Sequence, residues 1–427
     1  MKHNLLLPAA LCAASVLTSF GASEKIILLN EGNWQADNGR LTYFEDDHVV
    51  SNEWFREKNG YKLGDTPNDI IQVNDNLIAM AINWSNIVQF IRPDGTAVAA
   101  TEDVPNNRKL ATDGDYVYIS SYGHECKVGD TMETFTKGYV AKIDVSTFKT
   151  VKAVEVGYEP EGIQLYDGHL FVANTGGYAF NEDHEYETTV SIIDAETMEV
   201  TRTVDTGQIN LYGKMSISGQ YLCINSPGDY YDIPAATIVF DCKAALDGKP
   251  DDECFVKLEY AATYNCTALN GHFYAIGSRY SYYTSNYEFN YIEIDPKLCV
   301  EQQGFEGVYE DAFPGTVTQD LKKMTMPYGI YVNPYTGYIY ATDAGEFVAG
   351  GALLQWDPQG NKLGTYSVYI NPAHFLALKP DNPSTICPSI VSDETVDGTV
   401  YNLQGMSVAN PVSGQIYIKN GKKFVQQ

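Results

Sequence analysis

Short runs of alternating or β-branched residues, broken by Gly and Asp turn signals, follow one another along the chain. They are cleanest between Tyr158 and Gly207, where Gly162 to Tyr166, His169 to Asn174, Thr189 to Asp194 and Glu199 to Asp205 predict four antiparallel strands. Asp167-Gly168 reads as a tight hairpin because Gly accepts positive φ. In Asp194-Ala-Glu-Thr197 the Asp carboxylate can accept from backbone N–H groups two or three residues on. One such unit cannot bury both of its faces, so it needs neighbours.

The chain supplies them. Seven hairpins end on an acidic turn after a β-branched or aromatic run, at Asp46, Asp94, Asp144, Asp194, Asp241, Asp295 and Asp357, spaced 47 to 62 residues apart. Seven units of that period predict a propeller or a solenoid. Units open on a proline-containing segment such as Thr66-Pro-Asn-Asp-Ile70, Val104-Pro-Asn-Asn107, Glu159-Pro-Glu-Gly-Ile163 or Met326-Pro-Tyr-Gly-Ile330. The first unit, near Lys25, has none, and an orphan, Asn371 to Leu378, follows the seventh hairpin. That pattern fits closure by a composite blade: an all-β, seven-bladed β-propeller over 25–378.

Gly176-Gly177, Ile192-Ile-Asp194 and Thr203-Val204 resemble YVTN-type repeats, and the span as a whole looks like a YncE-like propeller. The opening Leu29-Asn-Glu-Gly-Asn-Trp34 with Asn38-Gly39, followed by Leu63 to Ile70, is similar to a Bacteroidetes branch that includes the surface cobalamin-binding (BtuG-like) propellers. The resemblance implies capture of cobalamin or another corrinoid for uptake by an outer-membrane transporter. After Lys379, a linker leads to a short C-terminal β module within 379–427. There Val400 to Gly405 and Ile416 to Lys423, with an Asn420-Gly421 turn, read as small hairpins. The module resembles ones that direct sorting in the same bacteria.

Charge narrows the partners. The net charge is −27 with no Lys/Arg-rich run, so a polyanion is repelled and nucleic acid is excluded. Lys2, the apolar stretch Leu5 to Leu17, and small residues near Gly21 and Ala22 read as a cleaved export signal over 1–22, too short to span a bilayer. Leu11 before Cys12 does not match a lipobox. The expected location is the periplasm, cell surface or exterior, with no transmembrane segment. Seven cysteines follow the signal, and Cys242 and Cys254 bracket a polar excursion that a disulfide could tie off. No Cys-x-x-Cys or paired Cys/His spacing supports zinc.

In a propeller, the connections between second and third strands share a face with the starts of the inner strands. Here those connections are long and aromatic, whereas the opposite turns are short, so one face is built for contact. Trp34, Trp84, Tyr122, Tyr178, Tyr230, Tyr231, Arg279, Tyr280 and Tyr282 are candidates to line a ligand site there, by loop position and side-chain type. The bulky ligand is a corrinoid if the resemblance extends to function. No catalytic residue stands out: there is no G-x-S-x-G and no H-E-x-x-H. No cofactor or metal is expected. Asn68, Asp69, Asn106, Glu161 and Asn265 could converge on Ca²⁺ in the alternative reading, a metal-dependent hydrolase or lactonase. A protein-interaction scaffold is a third.

Overall fold

A computed structural model describes residues 23–102, 104–179, 184–229, 231–259, 266–281, 286–380, 400–401, 416–419 and 422–425. The chain divides into two compact units, Met1–Cys387 and Pro388–Gln427. The larger is a propeller of seven four-stranded antiparallel sheets.

From the axis outward, blade 2 runs Pro67–Asn74, Leu77–Ile82, Ile87–Ile91 and Ala97–Ala100, and blade 3 runs Asn107–Thr112, Tyr116–Ser121, Tyr139–Asp144 and Lys149–Glu155. Blade 4 is Pro160–Tyr166, His169–Asn174, Thr189–Asp194 and Glu199–Asp205, and blade 5 is Tyr212–Ser218, Tyr221–Ser226, Ala236–Asp241 and Phe255–Leu258. Blade 6 is Cys266–Leu269, His272–Ser281, Asn286–Ile294 and Val308–Glu310. Blade 7 is Pro327–Val332, Ile339–Asp343, Ala352–Trp356 and Lys362–Ser367. Blade 1 is composite: Pro372–Ala377 is its innermost strand, beside Lys25–Asn30, Arg40–Glu45 and His48–Ser51. Leu28 pairs with Phe375 and Ile26 with Ala377, so the two ends of the propeller sequence close the ring by β-pairing, as the orphan segment predicts. Each inner strand packs beside the next, and that of blade 7 packs against Pro372–Ala377.

Among the described residues the core is divided into seven apolar clusters, one at each blade junction. Strand periodicity explains this arrangement, because successive side chains point to opposite faces and both faces are covered. Ile27 and Leu29 pack towards blade 2, whereas Ile26 and Leu28 pack towards blade 7. The second strand LIAMAI at Leu77–Ile82 is therefore apolar throughout.

The acidic turns at Asp94, Asp144 and Asp194 form as expected, whereas Asp241 and Asp295 instead cap short helices, Cys242–Leu246 and Pro296–Gln302. Asp194 Oδ1 accepts from Glu196 N at 3.0 Å and Thr197 N at 2.7 Å, and Asp144 and Asp94 accept likewise. Hydrogen bonds from those turns hold the Asp94, Asp144 and Asp194 carboxyls below their usual range.

Three details differ from the sequence reading. Cys242 and Cys254 are not bridged, being free, buried thiols. The excursion between them organises itself, through a short helix, Cys242–Leu246, capped by Asp241, and a 3₁₀ turn at Asp251–Glu253, while the Cys254 thiol donates to the Pro250 carbonyl. The aromatic stretch from Ser278 is no loop at its start, because the strand His272–Ser281 continues through it, paired with Asn286–Ile294. Its alternating residues simply prolong the period of the strand. Blade 3 also carries an added hairpin, Glu125–Val128 with Thr131–Thr134.

The smaller unit contains a three-stranded sheet of Val400–Tyr401, Ile416–Lys419 and Lys422–Val425, with Lys419 paired to Lys422.

Candidate functional site

Where the inner strands of blades 1 to 4 begin, the backbone is forced into an unusual turn. Thr66, Asn106, Glu159 and Asn371 all have φ between 43° and 53°, a strained region for residues with a side chain. Their carbonyls accept from the first residue past a second strand: Asn83 N to Thr66 O at 3.1 Å, Tyr122 N to Asn106 O at 3.1 Å, Thr175 N to Glu159 O at 3.1 Å, and Glu31 N to Asn371 O at 2.9 Å. The strain thus clamps the aromatic connections onto the starts of the inner strands, on one face. Gly162 and Gly329 follow from the same crowding. A Cβ on Gly162 would lie 2.9 Å from the Gly213 carbonyl oxygen, and one on Gly329 would lie 2.6 Å from that of Ala373, both on adjacent inner strands.

At the centre of this face is a cavity of about 330 Å³, lined by Glu31, Asn68, Arg108, Lys109, Glu161 and His374, with Tyr212, Tyr287, Tyr328 and Phe347 as aromatic wall. Residues directly after the lead-in prolines, Asn68, Glu161 and Tyr328, face it. A second cavity of about 240 Å³, which includes Lys214, Cys266, Tyr331 and Phe375, shares His374 with the first.

Ion pairs knit the axis. Arg108 grips Glu161 through Nε at 2.7 Å and Nη2 at 3.2 Å, and the Tyr122 hydroxyl donates to the same carboxylate. Lys109 Nζ donates to the Asn68 carbonyl at 2.6 Å and lies 3.9 Å from Glu161. Asp69, fully buried, pairs with Lys214 at 2.6 Å and accepts from Leu110 N and Ile70 N, both at 2.9 Å. Glu31 accepts from His374 Nε2 at 2.9 Å and the Tyr328 hydroxyl at 2.6 Å.

Burial alone would raise the Glu161 and Asp69 carboxyls, yet their cations outweigh it and hold both below the ordinary range. Burial, then the charge of Lys109, pushes His374 below its ordinary value despite Glu31. Its imidazole is therefore neutral at pH 7, with Nε2–H donated to Glu31. Convergent carboxylates exist, but each is matched by a cation or by hydrogen-bond donors. Among the described residues, no group of three or more His, Cys, Asp and Glu side chains is placed to hold a metal ion. Of the residues considered for calcium, Asn106 bonds Asn83 and Tyr178, and Asn265 lies outside the described residues.

The nine residues named from the sequence divide by position. Trp34 and Trp84, 64% and 49% exposed, meet edge to face with centroids 5.2 Å apart. They adjoin the cavity: Trp84 N bonds the carbonyl of Asp65, next to the lining residue Thr66, and Asn33 donates to the carbonyl of Phe347 at 2.9 Å. Tyr178 is partly exposed, packs edge-on against Tyr122 at 5.4 Å and accepts from Asn106 Nδ2 at 3.2 Å. Tyr122 is buried behind Glu161 with Arg108 over its ring, so it backs the cavity wall. Tyr231 is 82% exposed on the blade 5 connection. Arg279 and Tyr280 occupy strand positions opposite Glu288 and Tyr287. Tyr230 and Tyr282 lie outside the described residues.

Sequence reasoning missed Arg108, Lys109, Tyr212, Tyr287, Tyr328, Glu31 and His374 as lining residues. The available signal was the position after the lead-in prolines Pro67, Pro160 and Pro327, which marks Tyr328 as it marks Asn68 and Glu161.

No family model and no curated protein matches the chain. Among solved structures, it is similar to hydrazine synthase of Kuenenia stuttgartiensis, with a TM-score of 0.53 and 14% identity over 72% of this chain and 88% of that one. It is also similar to a quinoprotein alcohol dehydrogenase-like protein of Bacteroides thetaiotaomicron, with a TM-score of 0.51 and 10% identity over 83% of this chain and 78% of that one. At such identities the likeness establishes architecture alone: the chain is a seven-bladed β-propeller.

Proposed function

We propose that the protein is an exported, non-enzymatic binder that captures a bulky, partly apolar molecule on its loop face, a corrinoid being the ligand that best fits. The observation that carries this reading is the exposed Trp34 and Trp84 pair beside an axial cavity walled by Tyr212, Tyr287, Tyr328 and Phe347. A cavity of about 330 Å³ is at the small end of the roughly 300–1,000 Å³ of small-molecule sites. A broad macrocycle lies across such a mouth, stacked on the exposed rings, and sends a substituent inward. Exposed aromatic anchors supply contact area at low entropic cost, and polar groups below fix orientation. The pairing of each axial carboxylate favours binding over metal-assisted hydrolysis. Among the described residues no helix is long and apolar enough to cross a membrane, and uptake of a captured corrinoid would fall to an outer-membrane transporter as partner. Equilibrium dialysis of the full chain against cyanocobalamin tests the reading: retention at micromolar protein supports it, and equal partition across the membrane refutes the corrinoid.

A further inference from the structure

We infer that the floor of the axial cavity is a subsite for a primary carboxamide, the uncharged group through which a ligand on the loop face is anchored. The inference rests on the cavity being the ligand's site, as proposed above.

Two buried acceptors there lack donors. Asn68 is 5% exposed and His374 is 4% exposed; both line the cavity, and Asn68 Oδ1 and His374 Nδ1 have no hydrogen-bond partner. The amide orientation of Asn68 is set by Nδ2, which donates to the Asn107 carbonyl at 3.3 Å, so the oxygen is the free end. His374 spends Nε2–H on Glu31, whose other oxygen is taken by Tyr328, and this leaves Nδ1 as a bare lone pair. Groups so buried are ordinarily paired. A ligand that completes them must bring hydrogen-bond donors.

Charge balance decides which donors. Around the axis, Glu161 pairs with Arg108 and Lys109 and Asp69 pairs with Lys214, while Glu31 takes hydrogen bonds from His374 and Tyr328 and feels the charge of Lys109, so three cations face three carboxylates. An ammonium would have to sit beside Arg108 and Lys109, and a carboxylate beside Glu31 and Glu161. Either would be an unpaired charge in a low-dielectric site. The inserted group is therefore neutral. Arg108 commits Nε and Nη2 to Glu161, and Lys109 commits one hydrogen to the Asn68 carbonyl, so both cations retain donors for an acceptor oxygen. Two N–H donors and one carbonyl acceptor in a single neutral plane describe a primary carboxamide. A hydroxyl supplies one donor, and an ester none.

Calorimetry or saturation-transfer NMR of the full chain with benzamide, benzoate and methyl benzoate tests this. Benzamide should bind at least about tenfold tighter than the other two. Asn68→Leu should abolish that preference while leaving Tm unchanged or higher, because it removes an unpaired acceptor and the Asn107 carbonyl still accepts from Asn83 Nδ2 at 2.6 Å. Equal binding of the three, no benzamide binding, or a lowered Tm with the preference intact would overturn the assignment. Should Asn68→Leu not fold, a benzamide-soaked crystal decides: an amide nitrogen within about 3.2 Å of Asn68 Oδ1 supports the subsite, and any other placement refutes it. Benzamide selectivity without cyanocobalamin binding would remove the corrinoid and keep the subsite. Cyanocobalamin binding without amide selectivity would do the reverse.

Discussion

Lys214 Nζ lies 2.6 Å from Asp69 Oδ1, so the inner strands of blades 5 and 2 are joined across the propeller axis. Asp69 is fully buried, and its other contacts are the backbone amides of Leu110 and Ile70. Removing the cation leaves a buried carboxylate short of its main partner. Lys214→Met should therefore destabilise the protein by about 2–3 kcal/mol in urea melts, and adding Asp69→Asn should recover part of the loss. Additive losses would show that the two side chains do not interact.

Closure gives a second test. Pro372–Ala377 supplies the innermost strand of blade 1, and Phe375 and Leu378 are buried. Ending the chain before Asn371 removes roughly 3–6 kcal/mol of apolar burial from those two side chains alone and exposes a strand edge. That truncation should melt far lower than one ending after Lys379, or fail to fold. Equal melting temperatures would contradict a composite blade.

How far the sequence foretold this depends on what sets each feature. The blades were legible because β-pairing writes a period of two into every strand and Asp turns punctuate it. Blade 4 matches the expected strands to within two residues, with Pro160–Tyr166 beginning just before Gly162. The composite blade was legible because an unpaired lead-in must go somewhere. The axial cluster was not, since Arg108, Glu161 and Lys214 meet through ring geometry that no local pattern encodes. Tyr122 shows the same limit: its loop position is on the contact face, but its side chain turns inward to Glu161.

His374 should set a pH response. Its folded pKa is depressed below 6.5 by burial and Lys109, with Glu31 and Asp69 opposing. The unfolded chain therefore takes up a proton at a higher pH than the folded one. Stability contributed by neutral His374 is complete above about pH 6.5 and is lost as pH falls from there towards the depressed value. Thermal melts from pH 8 to 5 should show this decline, and His374→Gln, which keeps a donor for Glu31, should flatten it. Identical slopes in both proteins would contradict the assignment of a neutral imidazole.

Among the described residues no cysteine is in a disulfide, which predicts insensitivity to reductant. Cys126, Cys223, Cys242, Cys254, Cys266 and Cys299 are all unbridged and buried. Tm should be the same with and without dithiothreitol, whereas a structural disulfide would typically contribute about 2–4 kcal/mol and lower Tm on reduction.

Calorimetric titration of the full chain with cyanocobalamin bears most directly on ligand capture at the loop face. Binding in the micromolar range or tighter is expected. Trp34→Ala with Trp84→Ala, or Tyr230→Ala with Tyr231→Ala, should each raise Kd at least about tenfold, the equivalent of roughly 1.4 kcal/mol. No heat and no spectral change at micromolar concentrations, or affinity indifferent to both pairs of substitutions, would contradict corrinoid capture on this face.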